Sequence, residues 1–174
     1  MCSTKDKIAS ALRQLCTERP VQKITVQNLM DASNMKRQSF YYHFKDIHDV
    51  LLWIYTQEII TPMLACTLPF DKWLLHGLKL LDRNKEFYQK VLPSIQPDVL
   101  YQHTNNLLTP KFARHCYGIE SVELLDVHQK FVFNFFTRAA VSYAIDFVLS
   151  RNNLDEDTAM EHIQNLLSVI QPAD

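Results

Sequence analysis

The sequence predicts an all-α fold, and three observations carry that expectation. Glycine is scarce, apolar residues recur at helical spacing almost throughout, and prolines fall where helices should start or stop. The 174 residues hold only two glycines, Gly77 and Gly118, where ordinary usage of about 7% gives roughly twelve. Folds that cradle phosphates on glycine loops or turn many tight hairpins need glycine for positive φ, so they are disfavoured. The length suffices for one sizeable core without disulfide or metal staples.

Taken in order, Ile8, Ala11, Leu12 and Leu15 repeat at i, i+3, i+4 and i+7 and define a first helix. Ser3 or Thr4 can cap its start, and Pro20 follows its end. Thr25 is suited to cap a short second helix burying Val26, Leu29 and Met30. The pattern breaks over 32–35, where Asn34 tolerates the left-handed backbone of a tight turn. A third helix covers 36–44. Asp46 caps a fourth, which carries Val50, Leu51, Ile54 and Ile59 and runs at least to Pro62.

Beyond Pro62 the texture is that of a helical body. Asp71 can cap a helix bearing Trp73, Leu74, Leu78 and Leu81, and a shorter helix over 85–92 is closed by Pro93. Pro97 suits the first turn of the next helix, which is expected to end before Pro110. The longest helix is expected over about 120–151. It is apolar on two sides, with Phe131, Phe135, Ile145 and Leu149 on one and Val132, Phe136, Tyr143 and Phe147 on another. Such a helix must be buried on two sides. The last helix starts near Asn153 or Asp155 and presents Ala159, Ile163, Leu166, Leu167 and Ile170.

The net charge is −1, yet its distribution is uneven. Residues 1–48 carry eight Lys or Arg against four acids, and residues 49–174 carry ten against fifteen. A basic head on an acidic body points to a local polyanion contact. Four widely spaced cysteines without a C-x-x-C pair fit a reducing compartment, and the N-terminus lacks the apolar core of a signal peptide. The longest uncharged stretches run to twelve residues, short of the ~20 that a membrane span needs. A cytoplasmic protein without membrane contact is expected. No G-x-S-x-G, H-E-x-x-H or phosphate-loop motif is present, so an enzyme is not expected. His115 and Cys116 are the one adjacent soft-ligand pair among scattered histidines, and neighbours on a helix face different ways. Neither a metal nor a cofactor is expected.

The region 24–46 is where function concentrates. Two short helices around a tight turn, the second polar and aromatic, form a helix-turn-helix pattern. At about 100° per residue, Phe40 and Phe44 share one face of the third helix, while Gln38, Tyr42 and Lys45 share the opposite one. The two phenylalanines would anchor the helix and leave the other face free for a major groove. Gln38 matches an adenine edge, Arg37 or Lys36 a guanine, and Tyr42 a thymine methyl. Ser39, Tyr41 and His43 carry groups suited to phosphate oxygens. By pattern alone, an ordinary helical hairpin with a solvated face remains open.

The stretch 24–30, then 32–44 ending Phe40-Tyr41-Tyr42-His43-Phe44, resembles the DNA-binding domain of the TetR family of transcriptional regulators over roughly residues 5–55. The resemblance implies that 36–44 is a recognition helix on a double-stranded DNA operator. It implies that Thr25, Ser39, Tyr41 and His43 hold the DNA backbone while Lys36, Arg37, Gln38 and Tyr42 approach bases. Three positions depart from the family pattern: Asn34 stands where glycine is usual, Gln38 where a small residue is common, and Ile47 where lysine is usual. Lys45 or His48 would then replace one phosphate contact. Shorter motifs, over 36–41, 51–54 and 81–90, are similar to TetR-type activators of dihydroxyacetone kinase operons. That second resemblance implies an effector sensed through a kinase-like partner protein.

The chain therefore divides into a helix-turn-helix DNA-binding domain over 1–46 and a helical regulatory and dimerisation domain over 47–174, linked by the helix 46–62. The family resemblance implies a body cavity for an unknown small-molecule effector, with Trp73, Tyr88, Tyr101, His103 and Phe136 as its expected lining. A homodimer interface is expected from the last two helices, at Phe131, Phe135, Ile145, Leu149, Ile163, Leu166, Leu167 and Ile170. The alternative is a helical protein-interaction module that binds no DNA.

Overall fold

The computed structural model describes residues 3–119 and 121–170, without the side chains of Val169 and Ile170. Among the described residues it is all-α. Helix α1 (Thr4–Glu18) opens with a capping box. The Asp6 N–H donates to Ser3 Oγ at 3.1 Å, and the Ser3 N–H donates to Asp6 Oδ2 at 2.8 Å. Helix α2 (Val26–Ser33) is capped by Thr25 and ends at Asn34, whose φ of 53° is left-handed. There the Met35 N–H donates to the Met30 carbonyl at 3.0 Å, which closes the helix. Helix α3 (Arg37–His43) starts one residue later than expected, because Lys36 has the extended backbone of an N-cap. Helix α4 (Ile47–Tyr55) begins at Asp46, which accepts the Asp49 N–H at 2.9 Å.

Ile8, Leu12, Leu29, Phe40, Phe44 and Val50 form the head's interior. That interior is continuous with the body, because α4 buries Val50 and Leu51 at one end and Ile54 and Tyr55 at the other. The helix does not stop at Tyr55. It passes through a π-turn, Thr56–Ile60, into α5 (Thr61–Ala65). Pro62 has no N–H to give to the preceding turn, and this wider turn falls where that bond is missing.

The body comprises α6 (Phe70–Arg83), α7 (Lys85–Val91), α8 (Pro97–Tyr117), α9 (Val127–Leu149) and α10 (Glu156–Ile170). Helix α6 packs on α9 and α10, and α8 packs on α9. Gly77 allows α6 to approach Met63, since an added Cβ would stand 3.0 Å from the Met63 Cε.

Three boundaries in the body differ from expectation. Asp71 lies inside the first turn of α6 rather than capping it; Pro69 precedes the helix. Pro110 lies within α8 instead of ending it. The packing of Leu108, Phe112 and Ala113 overrides the local penalty, and the Thr109 hydroxyl bonds the nearby Asn105 carbonyl. Helix α9 starts at Val127, not near residue 120. Gly118 (φ 63°) ends α8, and Asp126 forms a capping box with Gln129. Residue 120 itself lies outside the described residues.

By length and apolar composition α9 matches a membrane span, which the short uncharged stretches did not foretell. Its Arg138, paired with Asp98 at 2.9 Å, and the burial of Phe133 and Phe136 suit a protein surface better.

Candidate nucleic-acid interface

The third helix is held by its apolar side. Phe40 and Phe44 are buried, with ring centroids 5.9 Å apart, and Phe44 meets Trp53 of α4 edge-on at 6.2 Å. The opposite side is open. Lys36, Arg37, Gln38, Tyr41, Tyr42 and Lys45 are exposed, and Ser39 and His43 are half-buried beside them. Tyr42 is 85% exposed, far more than an aromatic ring takes without a partner. It lies edge-on to His43 at 4.9 Å. The Arg37 guanidinium donates to the Tyr41 hydroxyl at 3.2 Å, one turn along.

Thr25 is exposed but engaged. Its Oγ1 accepts the Asn28 N–H at 3.2 Å, and its hydroxyl donates to Asn28 Oδ1 at 2.9 Å. A phosphate oxygen would have to take that proton from Asn28. Ile47, where the family pattern has lysine, packs against the head's interior and supplies no cation. Lys45 is the exposed cation nearby, with its own N–H donating to Asp49 Oδ2 at 3.0 Å.

In the body, a cavity of about 690 Å³ lies among α6, α8, α9 and α10. Trp73 and Phe136 line it as expected. Tyr88, Tyr101 and His103 do not. The Tyr88 phenol donates to Glu58 Oε2 at 2.9 Å, the Tyr101 hydroxyl donates to the Asn134 carbonyl at 3.3 Å, and His103 Nε2 lies 2.7 Å from Thr56 Oγ1. On α8, Leu100, Thr104 and Leu108 recur every four residues and face the cavity. Tyr101 and His103 sit on either side of that stripe. Polar groups in the lining are few: the Tyr55 and Thr104 hydroxyls, 3.1 Å apart, Thr137, Tyr143, His162 and the Trp73 indole. The Trp73 N–H is already committed to the Met63 carbonyl at 2.8 Å.

The outer side of α9 is exposed and mixed: large apolar side chains stand beside exposed Arg138, Ser142 and Asp146, and Phe131, Phe135 and, on α10, Leu166 also line the cavity. Phe131 is 65% and Phe135 70% exposed, with Leu149 and, on α10, Leu166 about half so. Leu167 is half-buried. Ile145 and Ile163 belong instead to the body's interior, where they pack against buried residues. The Ile170 side chain lies outside the described residues. Sequence reasoning missed exposed Leu124 and Val127. Val127 lies four residues before Phe131 on α9, and that spacing was the available signal for it.

No model of a known protein family matches the chain. A curated relative, the HTH-type dhaKLM operon transcriptional activator DhaS of Lactococcus lactis subsp. lactis (strain IL1403), is 30% identical over 91 residues, 51% of this chain and 48% of the relative. The match thus spans about half the relative's length. Two solved structures are similar along nearly the whole chain. The dihydroxyacetone kinase operon activator DhaS superposes with a TM-score of 0.60 at 20% identity, covering 96% of this chain and 95% of that one. The TetR family repressor AlkX from Dietzia sp. strain DQ12-45-1b, implicated in biodegradation of n-alkanes, gives 0.55 at 16% identity, covering 97% and 96%. The chain has the fold of the TetR-type transcriptional regulators. Within that fold its likeness extends to DhaS, in sequence over half the chain and in structure over nearly all of it.

Proposed function

We propose that this chain is a dimeric, sequence-specific DNA-binding transcriptional regulator, with residues 1–46 as its DNA-binding domain and 47–174 as its regulatory and dimerisation domain. The observation that carries the reading is the two-sidedness of α3. Phe40 and Phe44 fasten it to the head, and Tyr42 stands in solvent among Lys36, Arg37 and Gln38. A helix so mounted presents donors and an aromatic edge to a major groove, as base reading requires. Arg37, Lys36, Gln38 and Tyr42 face bases; Ser39, Tyr41, His43, Lys45 and Thr25 face the backbone.

Dimerisation places two such helices on successive major-groove faces, about 34–36 Å apart. Phe131, Phe135, Leu149 and Leu166 supply the apolar surface that a second copy covers. An effector held in the body cavity, or a partner protein docked on the body, sets the spacing of the two heads. The likeness to DhaS favours the narrower reading of an activator of a dihydroxyacetone kinase operon.

The test is a gel shift with duplex DNA from upstream of such an operon and of the chain's own gene. Binding is expected to weaken with salt at a log–log slope of roughly −5 to −9, for six to ten phosphates. Reversing the charge of Lys36 and Arg37 is expected to abolish it. A folded protein that ignores every duplex in dilute buffer instead leaves the helical protein-interaction module as the reading.

A further inference from the structure

We infer that the π-turn Thr56–Ile60 couples the body cavity to the DNA-binding head, with Glu58 as the positioning residue that passes the change to Arg13 of α1. This deepens the regulator reading and rests on it.

This turn and the residue that enters it, Tyr55, face two different clients. Tyr55 and Ile59 line the cavity, and the Tyr55 hydroxyl is held 3.1 Å from that of Thr104 on the cavity wall. Glu58 faces away from it. One of its carboxylate oxygens takes the Arg13 guanidinium from the head, and the other accepts the Tyr88 phenol of α7 at 2.9 Å. The Arg13 guanidinium also lies over the Phe87 ring, 4.0 Å from its centroid. Arg13, Glu58, Phe87 and Tyr88 thus tie α1, α7 and the π-turn together at one point. Burial and the neighbouring Glu58 carboxylate push the Tyr88 phenol far above its ordinary range, so it remains a donor.

The relay uses a second register of the turn. A π-turn holds one residue more than an α-turn, and reverting to α register advances the helix by one residue, about 1.5 Å and 100°. The present register is pinned at its entry, where the Thr56 hydroxyl donates to the Leu52 carbonyl at 2.8 Å and meets His103 Nε2 at 2.7 Å. Any occupant of the cavity that displaces Tyr55 or Ile59 acts on this turn and turns Glu58 with it. Arg13 then follows or is released, and α1 shifts under the recognition helix. A carboxylate at 58 is required because it alone serves the guanidinium and the phenol together.

The experiment is a double-mutant cycle on the full chain, with an operator recovered from a random duplex pool by the unmodified protein. Thr104→Val removes the hydroxyl facing Tyr55, and Glu58→Gln keeps an acceptor for Tyr88 while removing the charge that holds Arg13. Thr104→Val is expected to change operator affinity by about fivefold or more, and by less than about twofold in the Glu58→Gln background. Arg13→Gln is expected to behave like Glu58→Gln and to add nothing to it. Amide hydrogen exchange in α1, read on the same proteins, should show the same pattern of effect and cancellation. If Thr104→Val does not fold, Ala140→Leu, which fills the cavity from α9, takes its place. An equal shift in both backgrounds, or none in either, overturns the relay. If the unmodified protein binds no duplex, the regulator reading fails separately. The exchange measurement then decides the relay alone, and an α1 change that persists in the Glu58→Gln background overturns it.

Discussion

The outer faces of α3 and α9 are both left to solvent, and they are built from different materials. On α3 the exposed groups are Lys36, Arg37, Gln38, Tyr41 and Tyr42, each with a polar atom to offer. On α9 the large exposed side chains include Phe131, Phe135 and Leu149, which offer none, set among exposed Arg138, Ser142 and Asp146. The interiors behind them differ as well. Behind α3 the head is closed on Phe40 and Leu29, both fully buried, and behind α9 lies a cavity of about 690 Å³. A filled core under a polar face suits a part that must hold its shape while it reads another molecule. A cavity that reaches Phe131 and Phe135, which are themselves exposed, suits a part completed by something else, such as the second copy or the ligand proposed above.

Substitutions can break this contrast at either end. The largest effect is expected from Phe40→Ala. Emptying a fully buried aromatic site costs about 3–5 kcal/mol, which should show in urea unfolding as an early loss of the head. Next is Phe131→Glu with Phe135→Glu. These exposed residues contribute little to the monomer, so the change should leave unfolding nearly unaltered at concentrations where the protein is dissociated. It should weaken self-association by about 2–4 kcal/mol, measured by sedimentation.

Smaller still, Tyr42→Ala and Gln38→Ala should each cost about 1–3 kcal/mol of operator binding and relax preference at one base step. Equal binding by the Gln38→Ala protein across a base-substituted operator series is the sign that Gln38 reads a base. An unchanged preference removes it from that role. Lys45→Ala should weaken all sequences alike.

The smallest effect separates the regions by pH. Burial lowers the pKa of His76, His103 and His115, all in the body, from the ordinary 6.5. Below pH 6.5 the unfolded chain takes up these protons more readily than the folded one, so stability falls as the pH drops. Denaturant midpoints measured from pH 7.5 to 5.5 should decline. Replacing the three histidines with glutamine should flatten that decline.

How much of this was legible beforehand varied along the chain. The head was almost wholly so. Thr25, Asn34 and Asp46 act through bonds to residues three or four positions away, and Phe40 and Phe44 declare their face by spacing alone. The boundaries in the body were harder. Pro110 reads as a stop, yet it sits in α8 because Leu108, Phe112 and Ala113 are buried on either side of it. The cavity lining was misassigned for a related reason. Tyr88, Tyr101 and His103 are the kind of residue that lines a pocket, but each is taken by a partner on another helix.

Local chemistry within the chain therefore determined the helical class, the caps, the tight turn at Asn34 and the buried and exposed sides of α3. All of these depend on interactions within about one helical turn. Tertiary packing alone decided that Glu58 meets Arg13 and Tyr88, and which face of α9 stays uncovered. Those outcomes depend on how helices far apart in sequence share a limited interior, and no spacing within a single helix encodes that sharing.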